Sequence, residues 1–260
     1  MGEETIILCA AAVLAGAINS IAGGGTLLTF PALFAALGST ADAAVVANAT
    51  NTVALVPAAL AALFGYRREM RLERRWALLL AGPSLLGGLI GSLLVVALPP
   101  ELFKIAVPWL ILGAALLFAL QPQIGRRFGA GQPHGAGTRH AVAGAIAFQF
   151  LVGVYGGYFG AGMGILMLAA LALIGIDDIH RMNAVKSLLG AIINGTSVVV
   201  FAASGAVNWP LALVMAVAAA IGGYVGAHTA RRVNRSVVRG LVVALGFGLA
   251  AFYFYREFAR

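Results

Sequence analysis

Apolar runs of about 20 residues recur along nearly the whole chain, and no other feature constrains its fold as strongly. Wound as an α-helix, a run of that length matches the hydrocarbon core of a bilayer. Five segments are predicted in the first half, at about 5–21, 26–37, 43–65, 76–98 and 102–120. Five more follow at about 141–159, 163–175, 180–203, 209–230 and 236–255. The runs are continuous rather than alternating, which argues against a transmembrane β-barrel. Only 10% of the 260 residues are charged, against about 25% in soluble domains. The predicted class is all-α: a polytopic transmembrane helical bundle. The start, MGEETIILC, is acidic where a secretory signal is basic, so no cleaved signal is expected. Cys9 is the single cysteine, which excludes an intrachain disulfide and a cysteine metal cluster. The formal charge of +8 reads as arginines marking loops on one side of a membrane. No nucleic-acid partner is expected; the lipid bilayer is.

Within the first segments the chain reads AGAINSIAGGGTLLTFP, residues 15–31. Three consecutive glycines each cost roughly 1 kcal/mol against alanine in a helix interior. They sit beside Asn19, Ser20 and Thr26, so the helix is predicted to break where polar side chains gather. The pattern returns after a Gly-, Pro- and Arg-rich stretch, QPQIGRRFGAGQPHGAGTRH, at 121–140. Gly16, Gly23 and Gly25 fall on Gly153, Gly160 and Gly162. ANATNT (47–52) faces MNAVKS (182–187), pairing Asn48 with Asn183 and Asn51 with Lys186. GGLIGS (87–92) faces GGYVGA (222–227). Three blocks in one order, about 135–137 residues apart, indicate a duplication. The expected organisation is a first repeat over 1–120, a cytoplasmic linker over 121–140 and a second repeat over 141–260.

The positive-inside rule orients the halves. Arg67, Arg68, Arg71, Arg74 and Arg75 fill the loop before residue 76; Arg126, Arg127 and Arg139 lie in the linker; Arg231, Arg232, Arg235 and Arg239 follow segment 209–230. These regions are expected in the cytoplasm, in a protein of the cytoplasmic (inner) membrane. The loop SGAVN, which matches the first arginine loop in the repeat, carries no charge and is expected outside. The two halves are then inverted, and each must cross an odd number of times. Segment 26–37 has about 12 residues, roughly 18 Å of helix, too short for a core of about 30 Å. Segments 5–21 and 26–37 therefore form a hairpin turning at the glycines. Inverted repeats with broken, re-entrant helix pairs are the signature of many secondary transporters, whose sites lie at the repeat interface.

Lys186, one of two lysines, lies inside segment 180–203. An ammonium there costs roughly 2.5 kcal/mol or more. It reads as an anion site or counter-ion, or as a lysine snorkelling toward Arg181. No acidic residue lies deep in any segment opposite it, which favours an anionic substrate. Asn48, Asn51, Thr52, Asn183 and Ser187 read either as substrate-lining donors or as interhelical glue. The turns Gly23–Gly24–Gly25 and Gly160–Ala161–Gly162 start helices whose free N–H groups favour anions, or serve helix packing. Thr26 and Tyr158 add hydroxyls beside them; Tyr155 is the weaker candidate for that role, or packs. His180 and His228 are isolated, so no metal site is expected. GAGMGI lacks the last glycine of a dinucleotide fingerprint and lies in an apolar hairpin. No GxSxG or GK[ST] motif occurs, so neither a cofactor nor an enzymatic activity is expected.

The combination AGAINSIAGGGTLLTFPAL, then ANATNT, then GYFGAGMG and MNAVKS resembles the sulfite exporter TauE/SafE family of membrane transporters. The resemblance spans nearly the whole chain. It implies movement of sulfite, sulfoacetate or related organosulfonates across the cytoplasmic membrane without ATP. It carries a transport role onto Asn19, Gly23, Gly24, Gly25, Asn48, Asn51, Gly160, Gly162, Asn183 and Lys186. The second turn reads Gly-Ala-Gly, so the two turns need not contribute equally. The expected function is a secondary transporter or facilitator for small anions, with both turns and the starts of segments 43–65 and 180–203 lining one site. A proton is the coupling ion considered, although no buried carboxylate marks a carrier. The alternatives are a permease or channel for another small solute and a non-transport membrane assembly factor.

Overall fold

A computed structural model describes residues 2–21, 23–38, 40–128, 139–176, 178–230 and 232–258. Among these the chain forms eleven helices: α1 (Glu3–Ile21), α2 (Thr26–Ala36), α3 (Ala41–Gly65), α4 (Arg67–Leu72), α5 (Arg74–Ala97), α6 (Pro100–Phe128), α7 (Arg139–Tyr158), α8 (Met163–Leu173), α9 (Ile179–Ala203), α10 (Trp209–Thr229) and α11 (Arg235–Phe258). Seven of them, α1, α3, α5, α6, α9, α10 and α11, are long and apolar enough to cross a membrane. The expected all-α, multi-pass class is thus the observed one.

The predicted segments coincide with helices, with two additions. The arginine loop folds its own short helix, α4. The helix α6 runs on through Pro122 to Phe128, into the expected linker. One proline removes one amide donor, and the rest of the ladder continues past it. Residues 129–138 of the linker and Arg231 lie outside the described residues, as do the side chains of Arg126, Arg127, Arg139 and Arg235.

Side chains set several helix starts. Thr40 Oγ1 accepts from Ala43 N at 3.1 Å, Asp178 Oδ1 from His180 N at 2.8 Å, and Asn208 Oδ1 from Leu211 N at 3.3 Å. Each satisfies an amide that has no partner within its helix.

Helix direction follows from the order of touching residues. Gly222 meets Val13 and Gly226 meets Ala17, so α1 and α10 run the same way. Thr50 bonds Asn208 N, and Ala58 meets Gly223, which sets α3 parallel to both. Gly87 meets Phe150 and Gly91 meets Val154; Arg181 pairs with Glu73, and Ile193 meets Gly88. Hence α5, α7 and α9 form a second parallel set. The sets oppose one another, since Tyr66 near the end of α3 lies beside His180 at the start of α9. Contacts recur at the spacing of the sequence repeat: Val13 and Phe150, Ala17 and Val154, Ala58 and Ile193 play matching parts against the two glycine blocks.

The helices α3 and α9 occupy the middle. Of their most apolar stretches 78% and 61% is buried, against 22% for the peripheral α11. Around them the exposed surface is apolar, including Leu85, Leu86, Leu93, Leu213, Leu241 and Phe252. Such a surface suits lipid rather than water. An aromatic cluster ties the two hairpins together: Phe30 of α2 lies edge-on to Phe159 at 5.2 Å and to Phe103 of α6 at 6.4 Å.

Candidate functional site

Both hairpins reverse the chain inside the bundle. At the first, Gly23 N donates to Ile18 O and Asn19 O, at 3.1 and 3.2 Å, and Gly24 N donates to Asn19 Oδ1 at 3.3 Å. Gly23 and Gly24 have φ of 74° and 117°, conformations that side chains disfavour. Gly25 then lies against the Ala15 carbonyl, so α2 returns along α1. At the second turn Gly160 and Gly162 take the positive angles, 80° and 77°. The chain holds alanine at 161, opposite Gly24, and the second left-handed residue falls one position later. The two turns therefore follow different backbone paths. Tyr155, the weaker hydroxyl candidate, donates its hydroxyl to Ala161 O at 2.5 Å and braces this turn.

The two turns touch. A Cβ on Gly23 would stand 2.9 Å from the Cα of Gly164, in the first turn of α8. Beside this contact a cavity of about 20 Å³ is lined by Asn19 and Ser20 of α1, Ala59 and Ala62 of α3, Met163, Gly164 and Met167 of α8, and Lys186, Ser187 and Gly190 of α9. That volume holds about one water. A multi-atom anion does not fit in it.

Lys186 is 4% exposed and points at the carboxyl end of α1. Its Nζ donates to Asn19 O at 3.0 Å and Ser20 O at 3.3 Å. The ammonium turns into the bundle rather than snorkelling to its end. Hydrogen bonds to a charged group contribute about 1.5–3 kcal/mol each. Two of them offset the roughly 2.5–3.5 kcal/mol of placing a lysine at membrane depth, and the negative end of the helix dipole adds to this.

A second polar group forms between α2, α3 and α7. The Thr29 hydroxyl donates to Asn51 Oδ1, and Asn51 Nδ2 donates to Thr26 Oγ1 at 3.4 Å. Asn48 Nδ2 donates to Tyr158 O at 3.0 Å, and its Oδ1 has no partner among the described residues. Thr52 Oγ1 turns back to Asn48 O at 2.8 Å. Tyr158 contributes its carbonyl here, while its ring stands against Phe103 at 5.4 Å. Asn183 is fully buried, and neither amide atom has a partner among the described residues.

Of the residues expected at one site, the cavity takes Asn19, Lys186 and Ser187. Gly23, Gly24, Gly25, Gly160 and Gly162 shape the turns around it. Thr26, Asn48, Asn51, Thr52, Tyr158 and Asn183 lie outside its lining. Sequence reasoning missed Thr29, whose one signal is its place a turn after Thr26 on the same short helix. It also missed Met163, Gly164 and Met167, which carry no polar signal. Among the described residues no cluster of three His, Cys, Asp or Glu side chains gathers that would hold a metal.

The family profile "Sulfite exporter TauE/SafE" matches residues 8–253. The chain is 29% identical over 248 residues to a "Probable membrane transporter protein" of Haemophilus influenzae, covering 94% of this chain and 92% of that one. It is 29% identical over 249 residues to the "Probable membrane transporter protein ORF9" of Sinorhizobium sp, covering 94% and 89%. It is 28% identical over 245 residues to the "Probable membrane transporter protein YfcA" of Escherichia coli K12, covering 94% and 87%. No solved structure matches. The chain belongs to the TauE/SafE sulfite exporter family of membrane transporters.

Proposed function

We propose that this protein is a secondary transporter or facilitator that moves sulfite or a small organosulfonate across the cytoplasmic membrane. The carrying observation is the Lys186 ammonium, buried beside a cavity where two broken hairpins meet. A cation in a water-poor site attracts an anion far more strongly than in bulk water. The starts of α2 and α8, at this same point, favour negative charge. The anion enters when the bundle opens and meets the ammonium while it rests on Asn19 O and Ser20 O. Ser187, in the cavity lining, then supplies a hydrogen bond, and Asn183, outside the lining here and without a partner among the described residues, supplies a second.

The two halves act as inverted repeats that rock about the central pair, α3 and α9. The opposed parallel sets and the matching contacts at repeat spacing support this reading. The end of the bundle bearing Arg67, Arg68, Arg71, Arg74, Arg75, Arg181 and Arg232 faces the cytoplasm by the positive-inside rule.

The test is radiolabelled sulfite or sulfoacetate flux in liposomes, comparing wild type with Lys186→Ala and Asn51→Ala. Lys186→Ala is expected to abolish saturable flux. Asn51→Ala, which frees α2 from α3, is expected to slow it. Unchanged flux in both variants would overturn the site.

A further inference from the structure

The carboxyl end of α1 already holds a cation. Asn19 O and Ser20 O accept from Lys186 Nζ at 3.0 and 3.3 Å. Last-turn carbonyls keep lone pairs directed outward along the axis, at the negative end of the helix dipole. In transporters built on broken helices, such ends coordinate the coupling cation. Here a covalently tethered ammonium has that position. The equivalent end in the other half is neutral: Tyr158 O of α7 takes the Asn48 amide at 3.0 Å. Among the described residues, Lys186 is the one charged side chain buried inside a membrane-length helix.

We infer that Lys186 is a built-in counter-cation: its ammonium fills a monovalent-cation site formed by Asn19 O and Ser20 O. The wild-type protein therefore needs no free alkali cation. Removal of the ammonium turns the same carbonyls into a site for a small free cation. Oxygens spaced for an ammonium suit NH4+ and K+, which are similar in size, better than Na+ or Li+. Choline is too large for this enclosure.

The test uses the full chain in detergent and reads its thermal unfolding midpoint in ammonium, potassium, sodium, lithium and choline chloride at equal ionic strength. The wild-type midpoint is expected to be the same in all five salts. Lys186→Ala and Lys186→Asn are expected to unfold earlier in choline and to regain at least half of that loss in ammonium or potassium, with saturation. Lys186→Arg keeps the charge and is expected to be indifferent to the salt. Variants that gain no more from ammonium or potassium than from choline overturn the inference. So does a wild-type midpoint that rises selectively with one alkali cation. Should both variants fail to fold, the wild-type protein still decides. Its labelled-sulfite flux is expected to be equal with potassium, sodium or choline outside, and a requirement for sodium or potassium contradicts the inference. The flux arm alone rests on the transport reading, so a protein that moved no sulfite would still have its cation site tested by the midpoints.

Discussion

Gly23 and Gly164 bring the two hairpins into contact, with 2.9 Å between the Cα of Gly164 and the place a Cβ on Gly23 would take. Gly23 also holds φ at 74°. Gly23→Ala therefore meets two costs, conformation and collision. Gly205→Ala is the control, because Gly205 has the same φ of 74° with nothing within 4 Å of its added Cβ. The conformational part is about 1–2 kcal/mol. Thermal unfolding should show Gly23→Ala losing clearly more than Gly205→Ala, and flux should fall only in the former. Equal losses would mean that the turns do not depend on this contact.

Asn51 joins the first hairpin to the central helix through Thr29 and Thr26. A double-mutant cycle with Thr29→Val and Asn51→Ala should give a coupling of about 0.6–2 kcal/mol, the range for polar pairs between membrane helices. Additive losses would show that the pair is incidental.

Arg181 and Glu73 form an ion pair of unequal burial. Nη1 of Arg181 lies 3.2 Å from Oε1 of Glu73, with the Glu73 side chain 9% exposed and that of Arg181 44%. Removal of the arginine strands a buried carboxylate, whereas removal of the glutamate charge leaves an arginine that water can reach. Arg181→Ala should therefore lower the unfolding midpoint more than Glu73→Gln. Adding Glu73→Gln to Arg181→Ala should restore part of the loss.

Asp178 caps α9 just outside its membrane-length stretch. The amide hydrogen bond from Arg181 holds its carboxyl below the ordinary value of 3.8, helped by the amide of His180 and the positive charges of both residues, against a smaller opposing effect of desolvation. A depressed folded pKa means that the cap's contribution is full above the unfolded value and fades as pH falls through the folded one. The protection factors of the His180 and Arg181 amides, taken against intrinsic exchange at each pH, should fall on acidification below about pH 4. Asp178→Asn keeps an acceptor and should flatten that dependence. Asp178→Ala should cost about 1 kcal/mol at neutral pH.

Much of the architecture was legible because lipid forces the pattern into the chain. Apolar length marked each spanning helix, and the glycine triplet marked the first reversal within a residue of its observed place, since α2 starts at Thr26. The site was legible where its chemistry is costly. Lys186 stood out because a buried ammonium must be compensated, and its partners proved to be backbone carbonyls. A carbonyl partner leaves no mark in a sequence, so neither Asn19 O nor Ser20 O was foreseeable as its acceptor. The role of Tyr155 is equally unmarked in the sequence, because its acceptor is the backbone Ala161 O. The helix α4 was hidden by its charge, since an arginine-rich stretch six residues long has no apolar period to read.

Counterflow of labelled sulfite in proteoliposomes is the most direct measurement of the central claim. Vesicles loaded with unlabelled sulfite should accumulate label transiently, with saturation, when they contain wild-type protein. The same vesicles with a folded Lys186→Met variant should not. Flux that rises linearly without saturation, or counterflow that survives in Lys186→Met, would contradict an alternating carrier built on this lysine.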